Sequence, residues 1–525
     1  GGRLRSTREV NASSADFKGS YSFQDLQNYA DVLQGVPGAI PSQFSLSDTA
    51  NHNIPNVDAT VVDAGLYIQD DWKVRPTFTL SGGLRFETQN AIHDHADVAP
   101  RLGFAWGIGG GGKSAPKTVL RGGFGLFYDR FGEDLVLNAN RNNGVIQQQY
   151  LVSNPQPPQV VFPAIPPVTS LTALDQTVYK ISPNLHAPYI MQSAFSLERQ
   201  VTKIANLTVS YLNARGVHQF VSLNVNAPTP GTIGSIGPQP FPNQGPIYQY
   251  SSDGVFRQNQ LITNFNIRAG AKLSLFGYYS LNYANSDAAG AGSFPSDSYD
   301  LGADYGRASF DTRHRVFFGG TVGLPKGFRL SPFMIFNSGS PYNVTLGGQD
   351  LNHDSVLNDR PALAPSPSGA CLSLTAVCHY NLSPTASDVL VPINYLTGPS
   401  NFTLNLRLAK TFGFGPEKAK SADAATGGPG GPPPMMGGGR GPGGGGRGGP
   451  GGMGMGAASN RRYSLTFSVN ARNVLNKVNA ATPIGALPAN ISDPSNFGKS
   501  VALAGGPFSS AAANRKIELQ ALFSF

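Results

Sequence analysis

Apolar and polar residues alternate in short runs along most of the chain. Over 516–525, Ile517, Leu519, Ala521, Phe523 and Phe525 fall on one side of an extended strand, and Lys516, Glu518, Gln520 and Ser524 on the other. Strand side chains alternate faces with period two, so such a run has one apolar and one polar face. In 402–409, Phe402, Leu404, Leu406 and Leu408 alternate with Thr403, Asn405, Arg407 and Ala409. In 463–472, Tyr463, Leu465, Phe467, Val469 and Ala471 alternate with Ser464, Thr466, Ser468, Asn470 and Arg472. Comparable runs are expected at 64–73, where Ala64, Leu66, Ile68 and Trp72 share a face, and at 78–87, 100–106 and 118–130. More follow at 189–199, 205–213, 257–268, 272–283, 313–323 and 328–338.

The connections differ at the two ends of these strands. Those at 73–76, 200–204, 269–271 and 324–327 are short turns. Those at 131–188, 214–256, 284–312 and 339–400 are long and rich in Pro, Asn, Gly and Ser. Half-apolar strands with short turns at one rim and long loops at the other predict an all-β fold, an antiparallel transmembrane β-barrel. Roughly fourteen strands are expected, with short turns in the periplasm and long loops outside. A midplane Arg facing lipid costs about 2–4 kcal/mol, so Arg407 and Arg472 are expected inside the lumen.

Three stretches depart from the alternation. The first ten residues read as the end of an outward strand that 17–23 continues above the membrane, with a helical period over 25–33. The connection 413–461 falls on the periplasmic side, and its Gly/Pro-rich tract at 427–456 offers nothing to bury. It is expected to be a disordered spacer. The start, Gly1-Gly-Arg-Leu-Arg5, lies inside a strand pattern with no initiator Met or signal peptide, so the chain is expected to be a fragment.

Composition narrows the class. Only 13% of residues are charged, whereas Gly (64), Phe (31) and Tyr (19) are abundant. A run of roughly 18 or more apolar residues, which a membrane helix needs, is missing. The net charge of +8 does not signal nucleic acid, because Lys and Arg are dispersed and the Gly-rich tract has no aromatic residue to stack a base. Abundant Tyr and Phe fit girdles at the two membrane interfaces. The location that follows is the outer membrane of a Gram-negative bacterium.

No catalytic constellation is found, so no enzyme and no cofactor is expected. The eight His are scattered. Asp70 and Asp71 are strand neighbours on opposite faces, which suits rim hydration and not an acid/base pair. Asp350, Asn352 and Asp354 place oxygen donors at alternate positions, like the opening of a calcium loop, and Asn358 and Asp359 offer more. Ser355 and Pro361 stand where that loop wants Gly and Glu, so no metal is assigned. Cys371 and Cys378 share a long loop and are a disulfide candidate in an oxidising compartment.

Several motifs carry a family resemblance. The aromatic-ended tail with Phe523 and Phe525 resembles the C-terminal assembly signal of bacterial outer-membrane barrels, read by the barrel-assembly machinery. Tyr67-Ile-Gln-Asp-Asp-Trp-Lys73, Leu80-Ser-Gly-Gly-Leu-Arg-Phe-Glu87, Ala99-Pro-Arg-Leu-Gly-Phe-Ala-Trp106 and Leu120-Arg-Gly-Gly-Phe-Gly-Leu-Phe-Tyr-Asp129 resemble TonB-dependent outer-membrane receptors. The subgroup resembled is Oar-like, with a carboxypeptidase-regulatory-like N-terminal domain. Phe310-Asp-Thr-Arg-His-Arg315, Asn358-Asp-Arg-Pro361 and Asn473-Val-Leu-Asn476 fit it too. The resemblance implies a barrel of about 22 strands around an N-terminal plug, with this chain holding about 14 of them. It also implies a TonB complex as energy source and an extracellular substrate. Without a plug, the segment 1–525 is not expected to transport by that mechanism. A passive porin-like channel, an outer-membrane structural or adhesive β-protein, and a soluble extracellular β-protein are the alternatives. The substrate is not legible. Loops rich in Asn, Gln, Tyr and Ser suit sugars or peptides as well as a chelated metal.

Overall fold

The computed structural model describes residues 1–24, 26–109, 116–230, 237–270, 272–363, 380–385, 388–417, 461–487 and 497–525. Among these residues, fourteen long strands form one sheet. They are β1 (Gly2–Ala12), β2 (Asn56–Arg75), β3 (Phe78–Gln89), β4 (Asp97–Ile108), β5 (Thr118–Tyr128), β6 (Tyr189–Thr202) and β7 (Ala205–Asn224). The second half comprises β8 (Ile247–Ala269), β9 (Leu273–Ser286), β10 (His314–Gly323), β11 (Phe328–Asn337), β12 (Asn401–Glu417), β13 (Arg461–Arg472) and β14 (Lys516–Ser524). Each is antiparallel to the next from β1 to β14. No ladder joins β14 to β1 among the described residues, so the sheet is open.

Register carries one polar face across the sheet. Arg407 lies opposite Asn470, and Asn470 opposite Glu518. Thr403, Thr466, Ser468, Ser280 and Asn282 on this face are buried. Apolar side chains of the other face are exposed: Leu519 is 81% accessible and Ile68 74%. A soluble sheet shows the reverse, and a broad exposed apolar face marks a surface made for another apolar phase. Arg407 and Arg472 lie on the polar face as expected, and Arg472 Nη2 is 3.2 Å from Glu518 Oε2.

The turns between β2 and β3, β6 and β7, β8 and β9, and β10 and β11 are all short. The last contains Pro325–Gly327 with Lys326 at φ +60°. A helix forms at Leu26–Gln34 (α1), matching the expected period.

Four expectations are corrected. The 214–256 loop is much shorter, because the β7–β8 ladder continues to Asn224↔Tyr248 through irregularities at Gly216, Gln219 and Val221. Buried positions there include both Val221 and Ser222, so neighbours on both faces are covered and alternation fades. β2 begins at Asn56, because its apolar positions change face above Asp63: Val57, Ala59 and Val61 are buried on the face of Asp63, with Val57 and Ala59 packed on Leu137 of a second helix, Glu133–Arg141 (α2). Residues 17–23 do not prolong β1. Ser20–Ser22 folds back to pair with Gln43–Asp48. The 413–461 connection starts late, since β12 runs to Glu417, opposite Arg461 in β13. Its residues 418–460, including the Gly/Pro-rich tract, lie outside the described residues.

Candidate functional site

The long connections are built structure. Gln43–Asp48, Gln148–Ser153 and Gln176–Ile181 form a small sheet over the long-loop end. Gln176–Ile181 also runs parallel to the start of β8, from Val178↔Ile247 to Ile181↔Tyr250. The period-two rule sorts its side chains. Phe44, Leu46, Tyr150 and Val152 enter an apolar cluster with Val160 and Leu171. Ser45, Leu151, Gln149 and Thr177 take the opposite face. A second cluster around Phe131, Leu185 and Tyr250 anchors α2 to the strands below.

The polar face of the small sheet borders a cleft of about 370 Å³. Gln43, Ser45, Gln149 and Leu151 line one wall, and Ser355, Val356 and Leu357 another. Tyr179, Tyr248 and Phe294 form an aromatic row between them. Tyr248 stands 5.4 Å from Tyr179 and 4.5 Å from Phe294, ring centre to ring centre. The Tyr248 hydroxyl donates to the Ser355 carbonyl at 3.1 Å. Burial pushes the Tyr179 phenol up to about 12, with Tyr250 and Asp16 adding to the rise. Gln149 Oε1 and Thr177 Oγ1 are buried and have no hydrogen-bond partner among the described residues.

Buried ion pairs tie these loops together. Asp304 accepts from Ser296 N at 2.6 Å and Ser296 Oγ at 2.7 Å. Arg360 Nη2 reaches Asp304 Oδ1 at 2.5 Å, and its Nη1 donates to the Val391 carbonyl at 2.7 Å. Asn358 Nδ2 donates to the carbonyls of Phe294 and Pro295. Thus Asn358-Asp-Arg-Pro361 fastens the loop after β11 to the loop after β9. Asp311, fully buried, accepts from Ala284 N and pairs with Arg313 at 2.9 Å and Arg307 at 3.3 Å. Arg313 also stacks 3.7 Å from the centre of the Tyr283 ring. In Asn473-Val-Leu-Asn476 the fully buried Asn473 accepts from Lys477 N and donates to the Ala511 carbonyl.

On the polar face, Asp63 is enclosed by three guanidiniums. Arg5 lies at 2.7 Å, Arg3 at 3.1 Å and Arg130 at 3.4 Å. Sequence reading missed this group and the aromatic row, because their members are far apart in the chain. The only trace was an Asp on the polar side of an alternating strand.

The expected site residues have the following places. Asp71 accepts from Ser81 Oγ at 2.5 Å, and Asp70 lies opposite Gly82. Asp350 accepts from Asp354 N and Ser355 N, Asn352 Oδ1 from Asp354 N, and Asp354 Oδ1 from Val356 N. These oxygens close the loop on itself. Among the described residues no group of three or more His, Cys, Asp or Glu is placed to hold a metal. Burial pushes Asp354 up to about 8, and Asp350 and Asp359 add to the rise. Cys371 and Cys378 lie outside the described residues. Phe523 stacks on Tyr463 at 6.2 Å and Phe414 at 6.1 Å, with Phe525 alongside, in an aromatic band on the exposed face.

Comparison with known proteins places this architecture. No curated protein matches the chain. Among solved structures it is similar to the outer membrane transporter YddB from Escherichia coli, at 11% identity over 92% of this chain and 49% of that one, with TM-score 0.47. It is similar to a mutant ferric enterobactin receptor, PfeA, from Pseudomonas aeruginosa, at 9% identity over 91% and 46%, with TM-score 0.44. It is also similar to the FrpB iron transporter from Neisseria meningitidis, at 9% identity over 88% and 44%, with TM-score 0.42. The chain spans about half the length of these proteins. The family model of the outer membrane beta barrel domain matches residues 1–97 and 93–421. With its alternating sheet, exposed apolar face and buried polar face, the chain belongs to the outer membrane beta barrel domain family and is an outer-membrane protein.

Proposed function

We propose that the chain is the barrel part of an energy-coupled outer-membrane uptake receptor of the TonB-dependent, Oar-like kind. The observation that carries this reading is the asymmetry of the two rims. One rim has tight turns such as Pro325–Gly327. The other is built into a packed, ion-paired structure with its own sheet and cleft. A passive pore needs an open mouth, whereas a receptor needs a shaped surface before the lumen.

Among the described residues the outer edges of β1 and β14 have no strand partner, which supports a larger closed sheet around these fourteen strands. An unsatisfied backbone group in lipid costs several kcal/mol, so both edges require partners. In this reading, residues 1–525 are the later part of a barrel, 413–461 is a Gly/Pro-rich insert, and a plug and a TonB contact lie elsewhere in the intact protein. Phe523 and Phe525 serve as the signal for the barrel-assembly machinery.

The test uses the gene for the intact protein. A deletion strain and its parent are grown on a complex medium, and the spent medium is profiled. Compounds that the parent depletes, and that both the deletion strain and a strain lacking the TonB protein leave behind, support energised uptake. Depletion that survives the loss of TonB identifies a passive channel instead.

A further inference from the structure

We propose that Arg215 and Arg257, side by side on the exposed face of β7 and β8 near the long-loop end, clamp a phosphate of the phosphorylated glycolipid of the outer leaflet, a lipid of the lipid A type. The assignment goes beyond the receptor reading and takes from it only that the long-loop end faces outward.

The first argument is an unbalanced pair. The β7–β8 ladder sets Arg215 directly opposite Arg257. Side chains so placed leave the sheet about 5 Å apart, and like charges there repel. Both residues are exposed. Among the described residues, neither guanidinium makes an ion pair or a hydrogen bond. Asp253 and Asp287, the nearest acids along β8 and after β9, pair with neither, and Asp287 accepts from Val255 N at 2.6 Å. Asp311 is already shared by Arg307 and Arg313. One phosphate turns the repulsion into attraction, because its oxygens accept from the planar forks of both arginines.

The second argument is height. On the exposed face β7 passes from Val209 through Tyr211 and Asn213 to Arg215, and β8 from Leu261 through Asn259 to Arg257. Apolar side chains thus give way to polar ones at the same level of both strands. Tyr211 and Tyr283, 48% and 52% accessible, mark the change. Exposed tyrosines at the end of an apolar band sit at headgroup depth. The Tyr211 hydroxyl and Asn213 Nδ2 both donate to Asn259 Oδ1, at 2.7 and 2.8 Å. Arg215 stands four residues beyond Tyr211, about 13 Å of strand and roughly 10 Å in height at the usual tilt. Its long side chain reaches back toward the membrane, so the charge enters the headgroup layer.

The third argument is where a counter-charge can come from. β7 and β8 are paired along both edges, so no further strand can sit beside the arginines. Their partner must approach the exposed face from the membrane side. In an outer membrane, the anion that reaches this face at headgroup depth is a lipid phosphate. Phospholipids of the periplasmic leaflet meet the short-turn rim, which leaves the outer-leaflet glycolipid as the source. Asn285 is exposed next to Arg257 in register, and its amide offers one more donor. Tyr283, diagonal to Arg257, carries the Arg313 guanidinium 3.7 Å from its ring centre and continues the basic surface.

The test is lipid binding to the intact protein, purified from outer membranes in detergent and washed free of lipopolysaccharide. Native mass spectrometry and thermal shift follow it. The probes are bisphosphoryl lipid A, enzymatically dephosphorylated lipid A and phosphatidylglycerol. Bisphosphoryl lipid A should bind most tightly, and Arg215→Gln combined with Arg257→Gln should weaken it by about tenfold or more. Arg199→Gln, an exposed arginine on the same face at the other rim, should leave it unchanged. Without lipid A the double variant should melt no lower than the parent protein, since it removes a repulsion. The dephosphorylated probe tests the phosphate on the unaltered protein, whatever the variants do. Four results overturn the proposal: full affinity in the folded double variant, an equal loss in Arg199→Gln, equal binding of dephosphorylated lipid A, or equal or tighter binding of phosphatidylglycerol. Binding in detergent does not depend on transport. Its failure therefore leaves the receptor reading standing, and a failure of energised uptake leaves the lipid site standing.

Discussion

The guanidinium of Arg360 and the carboxylate of Asp304 meet at 2.5 Å, with side chains only 2% and 7% exposed. They join the loop after β9 to the loop after β11, 56 residues apart. Removing one partner of a buried pair strands the other charge, at a cost of about 3–5 kcal/mol. Arg360→Met should therefore loosen both loops while leaving the strand ladder intact. Limited proteolysis of the detergent-purified protein should show new cuts within 287–313 and 338–363. Adding Asp304→Asn should restore part of the resistance. An unchanged digestion pattern for Arg360→Met would contradict the locking role.

Sidedness follows from the parity of the fourteen strands. Lys326 lies in the β10–β11 turn, and His353 in the loop between β11 and β12. Both are exposed. In a background with Cys371 and Cys378 replaced by Ser, His353→Cys should react with a membrane-impermeant maleimide on intact cells, and Lys326→Cys should not. The opposite labelling would invert the topology.

Asp354 gives a pH dependence. Its folded carboxyl is pushed up to about 8 by burial, far above its ordinary value, 3.8. A raised carboxyl favours folding while protonated, and that advantage disappears as pH rises from about 4 through 8. Asp354→Asn mimics the neutral acid. It should change stability little at pH 3 and raise it at pH 9, by about 1.4 kcal/mol for each unit by which the carboxyl is raised. Thermal unfolding of the detergent-purified protein and the variant, followed by circular dichroism at both pH values, measures this. Equal effects at the two values would show that Asp354 stays ionised.

The cysteine proposal is independent of the described structure. Cys371 and Cys378 are seven residues apart in a loop read as extracellular. Mass spectrometry of a non-reduced digest of purified outer membranes should find them linked. Two free thiols there would refute the bond.

Alternation determined the membrane-spanning part from sequence alone. In β12 to β14 every second side chain meets lipid, so Leu404, Phe467 and Leu519 are apolar while Arg407, Ser468 and Glu518 are not. That pattern also fixed the register, since a one-residue slip would turn Arg407 toward lipid. Where lipid ends, the signal ends. The upper parts of β7 and β8 are covered on both faces by loops, so their residues obey no two-residue period and read as connections; in the upper part of β2 the alternation persists but changes phase, with Val57, Ala59 and Val61 buried on the face of Asp63. The small sheet was invisible for another reason. Phe44, Tyr150 and Val178 become neighbours only through three long returns of the chain, and a short strand has no local mark when its partner is 100 residues away. Only tertiary structure could bring Gln149, Tyr248 and Phe294 to one cleft, or Arg3, Arg5 and Arg130 to Asp63. Local sequence records what each residue faces when the environment is periodic, and pairing over long distances leaves no such record.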